Sequence, residues 1–199
     1  LSFLIDASVG GSIFSNTNKT GKYTGVLANT LSGRDAEHGG LWYYTAAMGN
    51  NVRLPESPSY SVSSDGLYYA QVNGQSTRVY QDGIMVEGVT ESASKNEEVV
   101  SADKYYHRIY SIAEANVYDA SYVKLREVAL SYRLPRLWTQ KLHLQEASVT
   151  LTGRNLWTIY KSVPNIDPES ALTTGNAQGV EAYSLPTTRS FGVNLSVKF

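Results

Sequence analysis

The chain contains no cysteine, which excludes a disulfide framework, a thiolate metal site and a cysteine nucleophile while leaving an oxidising compartment permissible. It has no run approaching the roughly 18 consecutive apolar residues of a membrane-spanning helix, and the mean hydropathy of −0.28 agrees. If it crosses a membrane, it does so with strands. Charge is scarce as well: 18% of residues are charged and the net charge is −1, so there is no electrostatic footprint for nucleic acid or an anionic surface. The start, Leu1-Ser2-Phe3-Leu4-Ile5-Asp6, lacks an initiator Met and the regions of a signal peptide, and reads as part of something longer. Tyrosine is abundant, with 15 against 4 Phe and 3 Trp, and such amphipathic rings suit a wet interface.

At 199 residues a sandwich and a piece of a barrel are both admissible. Periodicity is more decisive. From Phe191 to Phe199 the alternation is strict, with Phe191, Val193, Leu195, Val197 and Phe199 on one face and Gly192, Asn194, Ser196 and Lys198 on the other. That length matches the roughly 9 to 11 residues of a tilted strand crossing a bilayer. Segment 146–158 sets Val149, Leu151, Gly153 and Trp157 against Ser148, Thr150, Thr152 and Arg154; segment 121–134 sets Val128, Leu130, Tyr132 and Leu134 against Glu127, Ala129, Ser131 and Arg133. A fourth strand is expected over 1–9, with Leu1, Phe3 and Ile5 facing away from Ser2 and Asp6. Ionisable side chains on one face each need a partner in a dry core, but not along a water-filled lumen. Glu127, Arg133 and Arg154 are therefore candidates for lining a lumen; a ladder of cross-strand ion pairs that stiffens the wall is the plainer alternative.

The connections are unequal. Residues 135–145 form a short link, where Pro135, Leu137, Trp138 and Leu142 predict a helical turn. Residues 160–187 form a long one, broken by Pro164, Asp167-Pro168, Gly175-Asn176 and Gly179. Residues 10–118 form a longer one, with only brief strand-like runs such as Leu67–Val72. Long, short, long is the order expected when a barrel has short periplasmic turns and long extracellular loops. Tyr132, Trp138 and Phe199 then fall at one membrane interface, and Trp157, Tyr160 and Phe191 at the other.

Several segments, in order, resemble the C-terminal region of SusC/RagA-like TonB-dependent transporters: Phe3-Leu4-Ile5-Asp6 with Gly10-Gly11, Gly33-Arg34-Asp35, Tyr118 to Glu127, Gly153-Arg154-Asn155-Leu156, Asp167-Pro168-Glu169, and Pro186 to Phe191. The resemblance covers nearly the whole chain. It implies an all-β transmembrane antiparallel barrel of roughly 22 strands in the Gram-negative outer membrane, of which this chain supplies the last strands. The plug and the TonB-contacting part lie outside it. It implies partnership with a SusD-like surface lipoprotein and with TonB, import of oligosaccharides or oligopeptides, and no cofactor. Ser190, Gly192, Leu195, Val197 and Phe199 resemble the C-terminal signal read by barrel-assembly machinery, by a strand edge able to pair with that machine.

Little points to catalysis. His38, His107 and His143 stand far apart, no second His lies at ligand spacing, and Ser121 and Ser190 lack a Gly-x-Ser-x-Gly setting. The expectation is a protein that is not an enzyme and holds no metal. Asp167, Glu169 and Asn165 lack EF-hand spacing and are expected in a solvated turn. Tyr43, Tyr44, Tyr68 and Tyr69 in the long connection are candidates for stacking on sugars or touching the lid protein, with packing of the loop on itself as the alternative. Two other functions remain in view: a secreted carbohydrate-binding β-sandwich, which predicts a soluble monomer, and a barrel enzyme, which needs a nucleophile and base on neighbouring strands near the rim.

Overall fold

The computed structural model describes residues 1–199 except 87, 89–92, 142, 171–174 and 176–177. The elements run β1 (Ser2–Ser8), β2 (Ser12–Ser15), α1 (Asn16–Thr24), β3 (Leu41–Thr45), β4 (Asn51–Arg53), β5 (Tyr60–Val62), β6 (Tyr68–Val72), β7 (Gln75–Met85), β8 (Val99–Ser101), α2 (Ala102–Ser111), β9 (Val117–Asp119), β10 (Tyr122–Arg133), α3 (Arg136–Lys141), β11 (Glu146–Lys161), β12 (Val180–Glu181) and β13 (Ser190–Lys198). The protein is mostly β, with antiparallel sheets. It divides into two compact units, Leu1–Thr17 with Val117–Phe199, and Asn18–Asn116.

The first unit holds a four-stranded antiparallel sheet in the order β1-β10-β11-β13. Its register sorts side chains by polarity. Phe3 pairs with Val128 and Ile5 with Leu125; Leu130 pairs with Leu151, which in turn faces Val193; Tyr132 pairs with Val149, which faces Leu195. Since paired residues share a face, one side of the sheet is apolar on every strand. The other side carries Asp6 opposite Lys124, Glu127 opposite Arg154, and Ser131 opposite Thr150, itself opposite Asn194.

Strict alternation alone would break this sorting, because Lys124 and Val128 are an even number of residues apart. A register shift at Arg126 supplies the missing step. Against β1, Leu4 meets Glu127 but Ile5 meets Leu125, so β10 carries one extra residue there. Against β11 the same place skips further, from Leu125–Trp157 to Glu127–Arg154, and Asn155 adopts a left-handed φ of 51°, which Asn tolerates better than most residues. The bulges rotate Val123 and Leu125 onto the apolar face and Lys124 onto the polar one. Leu4, opposite Glu127, is the exception on the polar side.

The apolar face is exposed: Phe3 is 69% accessible, Leu151 49%, Trp157 59% and Leu195 66%. The described strands form an open sheet, and among the described residues no closed barrel is formed. The buried apolar residues of this unit are few; Ile13, Val163 and Ile166 form a cluster with Tyr118 and Ala120 against it. The short link folds as α3 after Pro135, with Leu142 outside the described residues; so is Asn176 in the long link.

The second unit corrects the expectation that residues 10–118 are a connection with only brief strand-like runs. Strands β3 to β8 join in one sheet of order β4-β3-β7-β6-β5, with β8 also on β7. Three of them are three residues long, too short for a period to show, and the 11-residue β7 is rich in polar residues. Trp42, Ala70 and Val79 form its core cluster, with Tyr44 and Leu54 packed on it. Gly83 of β7 lies where a Cβ would collide with the Val99 side chain and the Leu41 carbonyl, so only glycine allows β3 and β8 to flank β7 this closely.

Candidate functional site

The polar side of the β1-β10-β11-β13 sheet concentrates the unit's charge. Glu127 and Arg154, opposite one another, form an ion pair at 2.9 Å, and Arg133 pairs diagonally with Glu146 at 2.8 Å. Ser131 Oγ and Thr150 Oγ1 lie 2.9 Å apart between them. All three residues proposed for a lumen thus fall on one face, each Arg with a carboxylate partner. Such exposed pairs contribute about 0–1 kcal/mol each; they make the face hydrophilic more than they stabilise it.

Toward the start of β10 the character changes. Lys124 is only 4% exposed, and its Nζ lies 2.5 Å from both Asp167 Oδ1 and Glu169 Oε2. Arg126, rotated by its bulge, donates to Asp6 at 2.8 Å and to Glu169, and also reaches Asn155 Oδ1. Tyr122 Oη lies within 3.1 Å of Asp6 and 3.0 Å of Glu169. Asp167 completes the set by accepting from Thr187 Oγ1 at 2.7 Å and from the Glu169 amide at 3.1 Å. Asp167 is therefore not in a solvated turn, as its sequence suggested, whereas Glu169 stays partly exposed while bonded into the same network. Two acidic side chains beside a proline join a partly buried ion network because their partners come from strands more than 40 residues away in sequence. Burial raises the Asp167 carboxyl, but the hydrogen bonds from Lys124 and Thr187 outweigh it and take it down to about 2. Glu169 is likewise held low: burial opposes, while Lys124 and Arg126 prevail.

A second buried carboxylate was not anticipated. Glu181 of β12 is fully buried and accepts from Ser15 Oγ (2.8 Å), Thr17 Oγ1 (2.6 Å), the Thr17 amide (3.2 Å) and the Ser184 amide (3.1 Å). Burial pushes its pKa up, and these donors more than reverse that. Because Thr17 lies in the first turn of α1, the carboxylate caps that helix from another part of the chain.

In the second unit the four singled-out tyrosines differ in fate. Tyr43 is buried, stacks on Tyr80 at 5.3 Å and donates to Asp82 at 2.9 Å. Burial, then the Asp82 charge, raises its phenol pKa far above the ordinary value. Tyr44 packs on the core cluster. Tyr68 is 41% exposed in an edge-on trio with Trp42 and Tyr60, and Tyr69 is half-buried opposite Ser61 and Arg78. Of the histidines, His38 pairs with Asp35 at 2.7 Å on the surface and His107 stacks on Tyr23 at 4.3 Å. Among the described residues no group of three His, Asp or Glu converges as a metal site.

Ser190, Gly192, Leu195 and Val197 lie in β13, whose outer edge pairs with no strand among the described residues; Phe199 follows it. Leu195 and Val197 share the apolar face, opposite Val149 and Ala147, while Ser190 and Gly192 face the polar side opposite Arg154 and Thr152.

No family model matches the chain. Among curated proteins it is similar to TonB-dependent receptor P3 of Formosa agariphila, 34% identical over 94 residues, a match covering 44% of this chain and 9% of that protein. The likeness is partial and distant, and the chain spans less than a tenth of that relative's length.

Proposed function

We propose that this chain forms part of the wall of a transmembrane β-barrel in the Gram-negative outer membrane, belonging to a TonB-dependent receptor that imports glycan or peptide oligomers with a SusD-like lipoprotein. The observation that carries it is the sorting of the four-stranded sheet into one exposed apolar face and one ionised face, preserved across three strands by the bulges at Arg126 and Asn155. An exposed apolar face spanning four strands is unfavourable in water. Against lipid it is the required surface, with the ion-paired side turned to a wet lumen. Tyr132 and Trp138 at one end of the strands and Trp157, Tyr160 and Phe191 at the other are all more than half exposed, as interfacial aromatics are. The outer edges of β1 and β13 carry unsatisfied backbone groups that lipid cannot accept, so further strands must complete the wall. The partial likeness to a TonB-dependent receptor supports the same reading. In this account Glu127, Arg133 and Arg154 line the lumen, and the second unit is the extracellular part.

The transport reading is tested by deleting the gene and measuring uptake of fluorescent glycan and peptide pools, with affinity purification of the tagged receptor. Loss of uptake of one pool and recovery of a surface lipoprotein are expected. Unchanged uptake of every pool would overturn it.

A further inference from the structure

We propose that residues 162–170 form a strap laid across the ionised face of the sheet and that Lys124 and Arg126 are its releasable latch. This rests on the reading of that face as a lumen wall. The strap follows directly from β11 and turns back at once: the Ile166 amide bonds the Pro164 carbonyl, and Lys161 Nζ donates to the Ile166 carbonyl at 2.7 Å. Val163 is fully buried and Ile166 nearly so, both against Ile13. The remaining hold is polar: Asp167 and Glu169 pair with Lys124 and Glu169 with Arg126, with Asp6 competing for the same guanidinium, while the Tyr122 hydroxyl bonds Glu169, Thr187 bonds Asp167 and the Ser162 amide donates to the Ser121 carbonyl.

The composition of this hold makes it releasable. The buried apolar side chains of the strap are few, Val163, Ile166 and Pro168, and the ion pairs contribute little net free energy because the attraction is offset by taking the charges out of water. The Glu169 side chain remains 28% exposed and that of Asp6 40%, so water reaches the network from one side. By contrast the neighbouring piece at Glu181 is held by four donors to a fully buried carboxylate and by parallel pairing of β12 with β2. One piece is anchored and the other is detachable. Displacing the strap uncovers the ammonium and guanidinium groups of β10 and widens the passage beside them.

The absence of cysteine provides the test. Val163→Cys is introduced into the full-length receptor with any cysteine outside this chain replaced by serine, and its rate of reaction with a membrane-impermeant maleimide in intact cells is compared with that of Val9→Cys, at a position 91% exposed. The strap predicts labelling at least 10-fold slower at position 163, rising at least 5-fold when Lys124→Met or the milder Glu169→Gln is added. Labelling at 163 as fast as at 9 would show that the strap is not seated, and slow labelling unchanged by both variants would make it a fixed part of the wall; either overturns the latch. Should Lys124→Met fail to fold, Glu169→Gln, which keeps the Lys124–Asp167 pair, decides. Membrane location is scored separately, so a receptor found outside the outer membrane overturns the transport reading while the labelling ratio still decides the latch.

Discussion

Adjacent residues on β11 should respond in opposite ways to the same charge. Leu151 lies on the apolar face between Leu130 and Val193, while Thr150, one residue earlier, lies on the ionised face between Ser131 and Asn194. If the apolar face meets lipid, Leu151→Arg places a guanidinium near the middle of the hydrocarbon, which costs about 2–4 kcal/mol in barrels of this kind. That corresponds to a roughly 30- to 700-fold loss in folding equilibrium constant. Thr150→Arg gives up one exposed hydroxyl contact of 2.9 Å to Ser131, about 1 kcal/mol at most, and adds a charge on a face already carrying Glu127 and Glu146. The assay is reversible urea unfolding of the full-length protein in lipid vesicles, followed by tryptophan fluorescence. The reasoning is refuted if the two substitutions cost the same, or if Thr150→Arg costs more. A face bathed in water would leave Leu151→Arg near neutral, since Leu151 is already 49% exposed.

Three further outcomes are expected. Glu181→Ala leaves four donors from Ser15, Thr17 and Ser184 without their acceptor and should cost about 3 kcal/mol by the same unfolding measurement, with a cost below about 0.5 kcal/mol counting against the helix-cap account. Asp167 has its folded pKa lowered to about 2 from an ordinary value near 3.8, so its contribution is fully present above about pH 4 and is lost as pH falls toward 2; Asp167→Asn should flatten that acid limb of the stability profile. In the second unit, Trp42→Ala removes a side chain only 6% exposed that packs on Ala70 and Val79. It should cost about 3–5 kcal/mol and speed proteolytic cleavage within residues 18–116 while leaving the strands of the first unit protected.

Strands β1, β10, β11 and β13 are legible in the sequence because each runs seven residues or more with one side largely apolar, and period-two alternation survives there. The phase slip from Val123 and Leu125 to Val128 and Leu130 is also in the sequence, as a two-residue interruption at Arg126 and Glu127, but alternation alone does not say whether a bulge or a change of face follows. The Lys124 network was hidden for a different reason. Asp6, Lys124, Asp167 and Glu169 are brought together by topology, and nothing local to Asp167-Pro168-Glu169 marks it as buried. Glu181 was hidden likewise, since its donors at Ser15 and Thr17 lie more than 160 residues away. The second unit escaped because five of its strands, of three to five residues, carry too few periods and the 11-residue β7 is largely polar, although Tyr43, Tyr44, Tyr68 and Tyr69 already offered packing of this stretch on itself as one reading.

The central claim is that the exposed apolar face of β1, β10, β11 and β13 meets lipid. The measurement that tests it most directly is fractionation of cells expressing the full-length protein, with electrophoretic migration compared before and after heating. The account predicts a product in the outer membrane that needs detergent for extraction and migrates differently once boiled, as folded barrels do. A product soluble without detergent, with migration indifferent to heating, would contradict it and turn the apolar faces inward, as in a secreted sandwich.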